Sequence, residues 1–211
     1  MQGSDTTDPI RVAVIFYSAT GNVFQLAGAA VEGAIKAGAE TRLRQVAELA
    51  PPEAVASNPA WAEHADSTAD VAEATVDDLV WADAVLFGTP TRYGNIASQL
   101  GAFVDTTGPQ WQQGLLADKV YGAFTSTATP HGGQETTLLS LTRLFHHWGG
   151  VIVPPGFTDG VQHELGNPYG ASHVSGTGQA PGEIELAAAR YQAKRVTETA
   201  AALVAGRAVT R

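Results

Sequence analysis

Short apolar runs alternate with longer amphipathic ones along this chain. Residues 11–17 (RVAVIFY) are β-branched and aromatic between polar neighbours, the pattern of a buried strand. Residues 18–22 (SATGN) interrupt it, and residues 23–37 continue as an Ala-rich amphipathic helix that stops near Gly38. Further strands are expected over residues 40–45, 84–88 (AVLFG), 121–125 and 151–153, the last just before Pro154-Pro155. Helices are expected over residues 75–81, where Thr75 and Asp78 are spaced as a capping pair, and over residues 98–106, with Leu100, Phe103 and Val104 facing inward. Two more helices are expected over residues 135–147 and 183–205. Residues 51–74 show no strong period and read as an irregular excursion with one short helix, and the glycine-rich residues 157–182 read as structureless. Short buried strands alternating with helices predict an α/β fold: a five-stranded parallel sheet with helices on both faces. No repeat or low-complexity linker divides residues 11–211, which are read as one domain; the polar residues 1–10 are expected to be a disordered tail.

Composition narrows the chemistry. The chain has 211 residues, enough to bury a core without disulfide or metal staples. It has no cysteine, which excludes disulfides, iron–sulfur clusters, thiolate zinc and thiol nucleophiles. Twelve basic against twenty-one acidic residues give a net charge of -9, which argues against nucleic acid as a partner. No apolar run approaches about 20 residues, so no integral membrane segment is expected. Residues 1–9 lack the basic start and apolar stretch of a signal peptide, so a cytoplasmic location is expected.

In open α/β sheets ligands bind beyond the carboxyl ends of the strands. Three loops there have unusual composition. In the first, Ser18, Ala19, Thr20, Gly21, Asn22 and Val23 place hydroxyls and a glycine just before a helix, which suits a dianionic phosphate and equally suits a plain helix cap. The absence of G-x-x-x-x-G-K-[ST] and of G-x-G-x-x-G after the first strand turns the reading from a nucleoside triphosphate or dinucleotide toward a mononucleotide. In the second, Thr89 is followed by Pro90, Thr91, Arg92, Tyr93, Gly94 and Asn95: a stiff loop with one fixed cation, one ring and one glycine. A surface turn would look similar. The third runs through Ser126, Thr127, Ala128, Thr129, Pro130, His131, Gly132 and Gly133, again with backbone donors and a following helix. Each loop alone is weak; together they converge on one crevice.

GTPTRYGN (residues 88–95), the hydroxyl- and glycine-rich stretch over residues 126–135, and His146-His147 before VIVP resemble the WrbA family of flavodoxin-like NAD(P)H:quinone oxidoreductases. NPYGAS (residues 167–172) and ARYQ (residues 189–192) match its C-terminal part, and the resemblance covers about residues 12–204. It implies a flavodoxin-like fold, non-covalent FMN, two-electron reduction of quinones by NADH or NADPH in ping-pong order, a homotetramer, and an insertion after the fourth strand. By position, the first loop would hold the phosphate, while Thr91, Arg92 and Tyr93 would border the flavin ring and the third loop would close its other side. His146 matches a flavin-contacting histidine and Trp111 a tryptophan near the substrate. His146, Arg92 and Trp111 are therefore the catalytic candidates, with His146 also a cofactor contact.

Each candidate has a plainer role as well. His146 would serve as a cation at a helix C-terminus, Trp111 as a packing aromatic at a subunit contact, and His131 as an exposed loop residue rather than a proton donor to quinone. Two departures from the family stand out: Thr20 replaces its usual aromatic residue, and the third loop is one residue longer. A flavodoxin-type electron carrier and an FMN-binding regulatory protein are the rival readings. A phosphoreceiver lacks its Asp cluster here, and a serine hydrolase its G-x-S-x-G elbow.

Overall fold

A computed structural model describes residues 8–209. The tail expected over residues 1–10 therefore falls, for residues 1–7, outside the described residues. Strands β1 (Arg11–Phe16), β2 (Glu40–Gln45), β3 (Ala84–Pro90) and β4 (Val120–Thr127) pair in the order β2-β1-β3-β4, all parallel. The fifth position is divided. β5 (Val151–Ile152) pairs with the start of β4, and β6 (Ser172–Val174) pairs with its end, so the sheet has six strands in five places. Residues 153–171 lie between these two halves, after β5.

The two-residue alternation along β1 divides the core. Val12, Val14 and Phe16 point to one face, with α1 (Asn22–Lys36) and the long C-terminal helix Glu183–Val209. Ala13, Ile15 and Tyr17 point to the other. That second face is covered by α4 (Val76–Trp81), α5 (Ser98–Asp105) and α7 (Gln134–Trp148). Here Tyr121, Phe145, Phe87 and Trp148 form one aromatic group, the Tyr121 and Phe145 centroids 4.9 Å apart. The Thr75–Asp78 pair forms the capping box its spacing predicts. Asp78 is also buried against two guanidiniums, Arg42 at 3.0 Å and Arg44 at 3.1 Å, which ties edge strand β2 to α4. Burial alone would raise its carboxyl. Bonds from the Thr75 amide and the arginines outweigh that and hold it below the usual carboxylate range.

Two expectations need correction. Residues 51–74 contain two helices, α2 (Pro52–Ala56) and α3 (Pro59–Ser67). The second starts where the Asn58 side chain accepts from the Ala60 and Trp61 amides, with proline at its first turn. Residues 157–182 are not structureless, since they hold α8 (Gly160–Leu165), capped by Asp159, and β6. Both are too short to show a period. The remaining helix, α6, spans Gly108–Gln112; the C-terminal helix is α9 and runs to Val209, four residues beyond the expected end. β3 and β4 likewise run two residues further than expected, so Thr89, Pro90, Ser126 and Thr127 belong to strands. No described helix is long and apolar enough to cross a membrane.

Candidate functional site

β1, β3 and β4 end at the same edge of the sheet, and the segments leaving them enclose a crevice of about 360 Å3. That lies within the range of small-molecule pockets. Ser18, Ala19, Thr20, Asn22 and Val23 form its first wall. Gly21 shapes this wall rather than lining it: it adopts φ 95° just before α1, and its amide donates to Ser18 Oγ at 3.1 Å. The amides of Ala19 and Thr20 donate to no group among the described residues. With the first amides of α1 they form a cluster of unspent donors at the positive end of a helix.

Pro90, Thr91 and Arg92 form the second wall. The Thr91 amide donates to Ser126 O at 2.9 Å and its hydroxyl to Gly132 O at 3.2 Å, so this loop is fastened to the third one. Arg92 and Asn95 exchange two backbone bonds, with Tyr93 (φ 53°) and Gly94 (φ 78°) between them, which is the geometry of a type I′ turn. Tyr93 at its tip is fully exposed, and Arg92 makes no ion pair among the described residues.

Ser126, Thr127 and Ala128 form the third wall. Ser126 Oγ lies 3.0 Å from Nδ1 of buried His173, which β6 places directly beside it in register. Burial lowers the His173 pKa, partly offset by Glu185 and the Ala180 backbone. The Ser126 hydroxyl and His173 Nδ1 share one hydrogen bond, whose direction the ring tautomer sets.

Three further lining residues were missed by sequence reasoning: Asn58, Trp61 and Ser175. Trp61 is the one aromatic side chain among the lining residues. Its indole N–H donates to Glu48 Oε2 at 3.2 Å, as does the Tyr17 hydroxyl at 2.8 Å, while Gln99 Nε2 donates to Oε1 at 2.7 Å. The Leu49 and Ala50 amides complete the shell. These bonds outweigh burial and keep the Glu48 carboxyl below its usual range. Burial and the Glu48 bond push the Tyr17 phenol above its own.

Several expected site residues lie elsewhere. Tyr93, Gly94 and Asn95 form the outer turn, and Thr129, Pro130 and His131 an exposed bend. Gly132 and Gly133 pack behind the wall: a side-chain carbon on Gly133 would stand 2.7 Å from Gly94 Cα. His146 and Trp111 lie apart from the crevice of their own chain. Gly133 caps the start of α7, whereas His146 is exposed in its last turn, about 20 Å further along at 1.5 Å per residue. Trp111 joins that far end by donating to His147 O at 2.8 Å, so it caps a helix carbonyl and is absent from this crevice within one chain.

A doubly wound parallel sheet with a donor-rich crevice at its strand ends defines a flavodoxin-like, nucleotide-holding protein. The family described as NADPH-dependent FMN reductase matches residues 10–164. The NAD(P)H dehydrogenase (quinone) of Deinococcus radiodurans is 45% identical, over 94% of this chain and 99% of its own. That of Rhodopseudomonas palustris is 44% identical over 90% and 96%. The flavodoxin-like, WrbA-like protein of Agrobacterium tumefaciens superposes with a TM-score of 0.61 at 25% identity, covering 92% of this chain and 98% of that one. An archaeal flavodoxin shares the fold, with a TM-score of 0.60 at 14% identity. The chain belongs to the NADPH-dependent FMN reductase family and groups with its WrbA-like, flavodoxin-fold members.

Proposed function

We propose that the crevice holds FMN and that the protein reduces quinones with NADH or NADPH, two electrons at a time. The observation that carries this reading is the cluster of unspent amides between β1 and α1, opposite a lone cation, in a crevice of mononucleotide size. The donor set fits the cofactor: Ala19, Thr20 and the first turn of α1 meet a terminal phosphate, and no lysine calls for a triphosphate. The quinone dehydrogenases at 44–45% identity supply the substrate class.

When bound, FMN supplies the redox chemistry, accepting and returning an electron pair. The chain's part is position and electrostatics. Pro90 and Thr91, fixed to Ser126 and Gly132, keep the ring-side wall rigid. Arg92 would place positive charge at the crevice wall, where it would favour a reduced, negatively charged ring. The Ser126 hydroxyl, held by His173, offers a hydrogen-bonding group at the crevice wall. Glu48 holds the Trp61 indole in one orientation at the wall. Exposed Arg92 and Ala128 border the solvent side, where donor and acceptor would alternate in ping-pong order.

The reading includes a cytoplasmic homotetramer. Its support is the exposure of Tyr93, Trp111, Leu139 and Tyr169, together with the placement of His146 and Trp111 away from their own chain's crevice. A neighbouring protomer would have to bring those two residues to a flavin. The test is NADH- and NADPH-driven reduction of benzoquinone by the yellow purified protein. Turnover with neither donor would refute the enzymatic reading, and abundant semiquinone on anaerobic reduction would favour an electron carrier.

A further inference from the structure

The crevice is of mononucleotide size, so a dinucleotide that meets its occupant must extend along the rim. One part of that rim comes from outside the strand-end loops. Trp61 and Asn58 of the α3 segment line the crevice together with Ser18, Ala19 and Thr20. Trp61 is half-buried and is the one aromatic residue among the lining residues. Its indole N–H is spent on Glu48 Oε2. Among the described residues no other ring and no cation stacks on it. What it offers the crevice is therefore apolar ring surface held in one orientation, a surface on which a planar base stacks. Asn58 spends Oδ1 on the Ala60 and Trp61 amides, while its Nδ2 has no partner among the described residues. It leaves one donor beside the ring for an acceptor on the edge of a base.

The charges of the rim suit an anion next to that base. Arg92 is the one charged side chain among the lining residues, exposed and without an ion pair among the described residues. Its charge acts on the Tyr17 phenol, which shares the Glu48 carboxylate with Trp61, so guanidinium and indole stand on the same side of the mouth. Glu48, the acid behind this wall, is engaged by Tyr17, Trp61, Gln99 and two backbone amides. In a chain of net charge -9, an unpaired cation at the rim is where a diphosphate is tolerated. The reacting ring of a donor belongs at the Pro90–Thr91 wall, whereas Trp61 stands with the phosphate turn, so Trp61 meets the other end of the donor.

We propose that Trp61, with Asn58 and Arg92 beside it, binds the adenosine diphosphate half of NADH or NADPH, the base on the indole and the diphosphate at the guanidinium. This rests on the FMN reading above and makes a residue of α3 the determinant of donor recognition. The first test is calorimetric titration of FMN-loaded protein with ADP-ribose, which carries the base and diphosphate without the nicotinamide. Trp61→Leu is expected to weaken ADP-ribose by about five- to a hundredfold, the worth of one base–aromatic stack. Trp61→Phe, a smaller ring, is expected to keep part of that affinity. The second test compares NADH with a benzyl dihydronicotinamide, which has the reacting ring and lacks the adenosine diphosphate, with FMN in saturating excess. Trp61→Leu should lower kcat/KM for NADH by a similar factor and leave that of the truncated donor within about twofold. ADP-ribose affinity unchanged by Trp61→Leu, or equal losses for both donors, would overturn the subsite. Should Trp61→Leu fail to hold FMN, Trp61→Phe carries the same two comparisons. Wild-type protein that binds FMN but no ADP-ribose would overturn this proposal alone, and protein that binds no FMN would overturn the FMN reading.

Discussion

Replacing Gly133 with alanine tests whether the second and third loops are one mechanical unit. Gly133 adopts φ 90°, and its added carbon would meet Gly94 Cα at 2.7 Å, Thr136 Oγ1 at 3.0 Å and Gly94 N at 3.2 Å. Thr136 can rotate; the Gly94 backbone cannot move without shifting the Arg92–Asn95 turn. The left-handed backbone costs an L-residue about 1–2 kcal/mol, and forcing the two loops apart adds about 1–3 kcal/mol. A total of about 2–5 kcal/mol lowers Tm by about 4–20 °C in a chain of this size. Gly28→Ala is the control. It lies inside α1 with nothing within 4 Å of the added carbon, so it gains up to about 1 kcal/mol of helix propensity. Thermal melts of both flavin-free variants, followed by FMN titration, read the outcome. Gly133→Ala should melt early and bind FMN weakly, while Gly28→Ala should do neither. A Gly133→Ala variant melting within about a degree of wild type would refute the interlock.

Other predictions follow from the buried charges. Asp78→Asn leaves Arg42 and Arg44 without their shared anion; as both guanidiniums are partly exposed, we expect a loss near the low end of about 3–5 kcal/mol, read by chemical denaturation. Glu48→Gln weakens the pins on Tyr17 and Trp61 and should cost about 1–3 kcal/mol, with a changed Trp61 emission and looser FMN binding; unchanged emission would remove Glu48 as the pin. Burial holds His64 and His173 below the ordinary imidazole pKa, so the unfolded chain binds more protons as pH falls through about 6.5. Their contribution is therefore complete above that pH and declines below it: Tm should fall from pH 7 to pH 5, and His173→Asn should flatten the slope. A Tm that rises over that interval would contradict the assignment.

The fold was legible because its strands are strongly patterned. Residues 11–17 and 84–88 are apolar on both sheet faces, and each precedes a recognisable break. The loops after β1, β3 and β4 were legible for a related reason, since their hydroxyls and glycines mark where the chain opens onto the crevice. What the pattern hid was short or distant. β6 is three residues long, so nothing announced that His173 would stand beside Ser126. α3 brings Asn58 and Trp61 to the crevice from a segment without a strong apolar period; the Asn58-Pro59 start was its one readable signal. His146 stands apart from its own chain's crevice because a straight helix carries it to the other end of the sheet.

The central claim is that the strand-end loops and α3 grip one flavin mononucleotide per chain. Equilibrium titration of flavin-free protein with FMN, followed by quenching of flavin fluorescence, tests it most directly. Saturable binding at one FMN per chain, weakened by changes at Thr91 or Ser126, is the predicted result. Flavin fluorescence that stays unquenched across the titration would contradict the account.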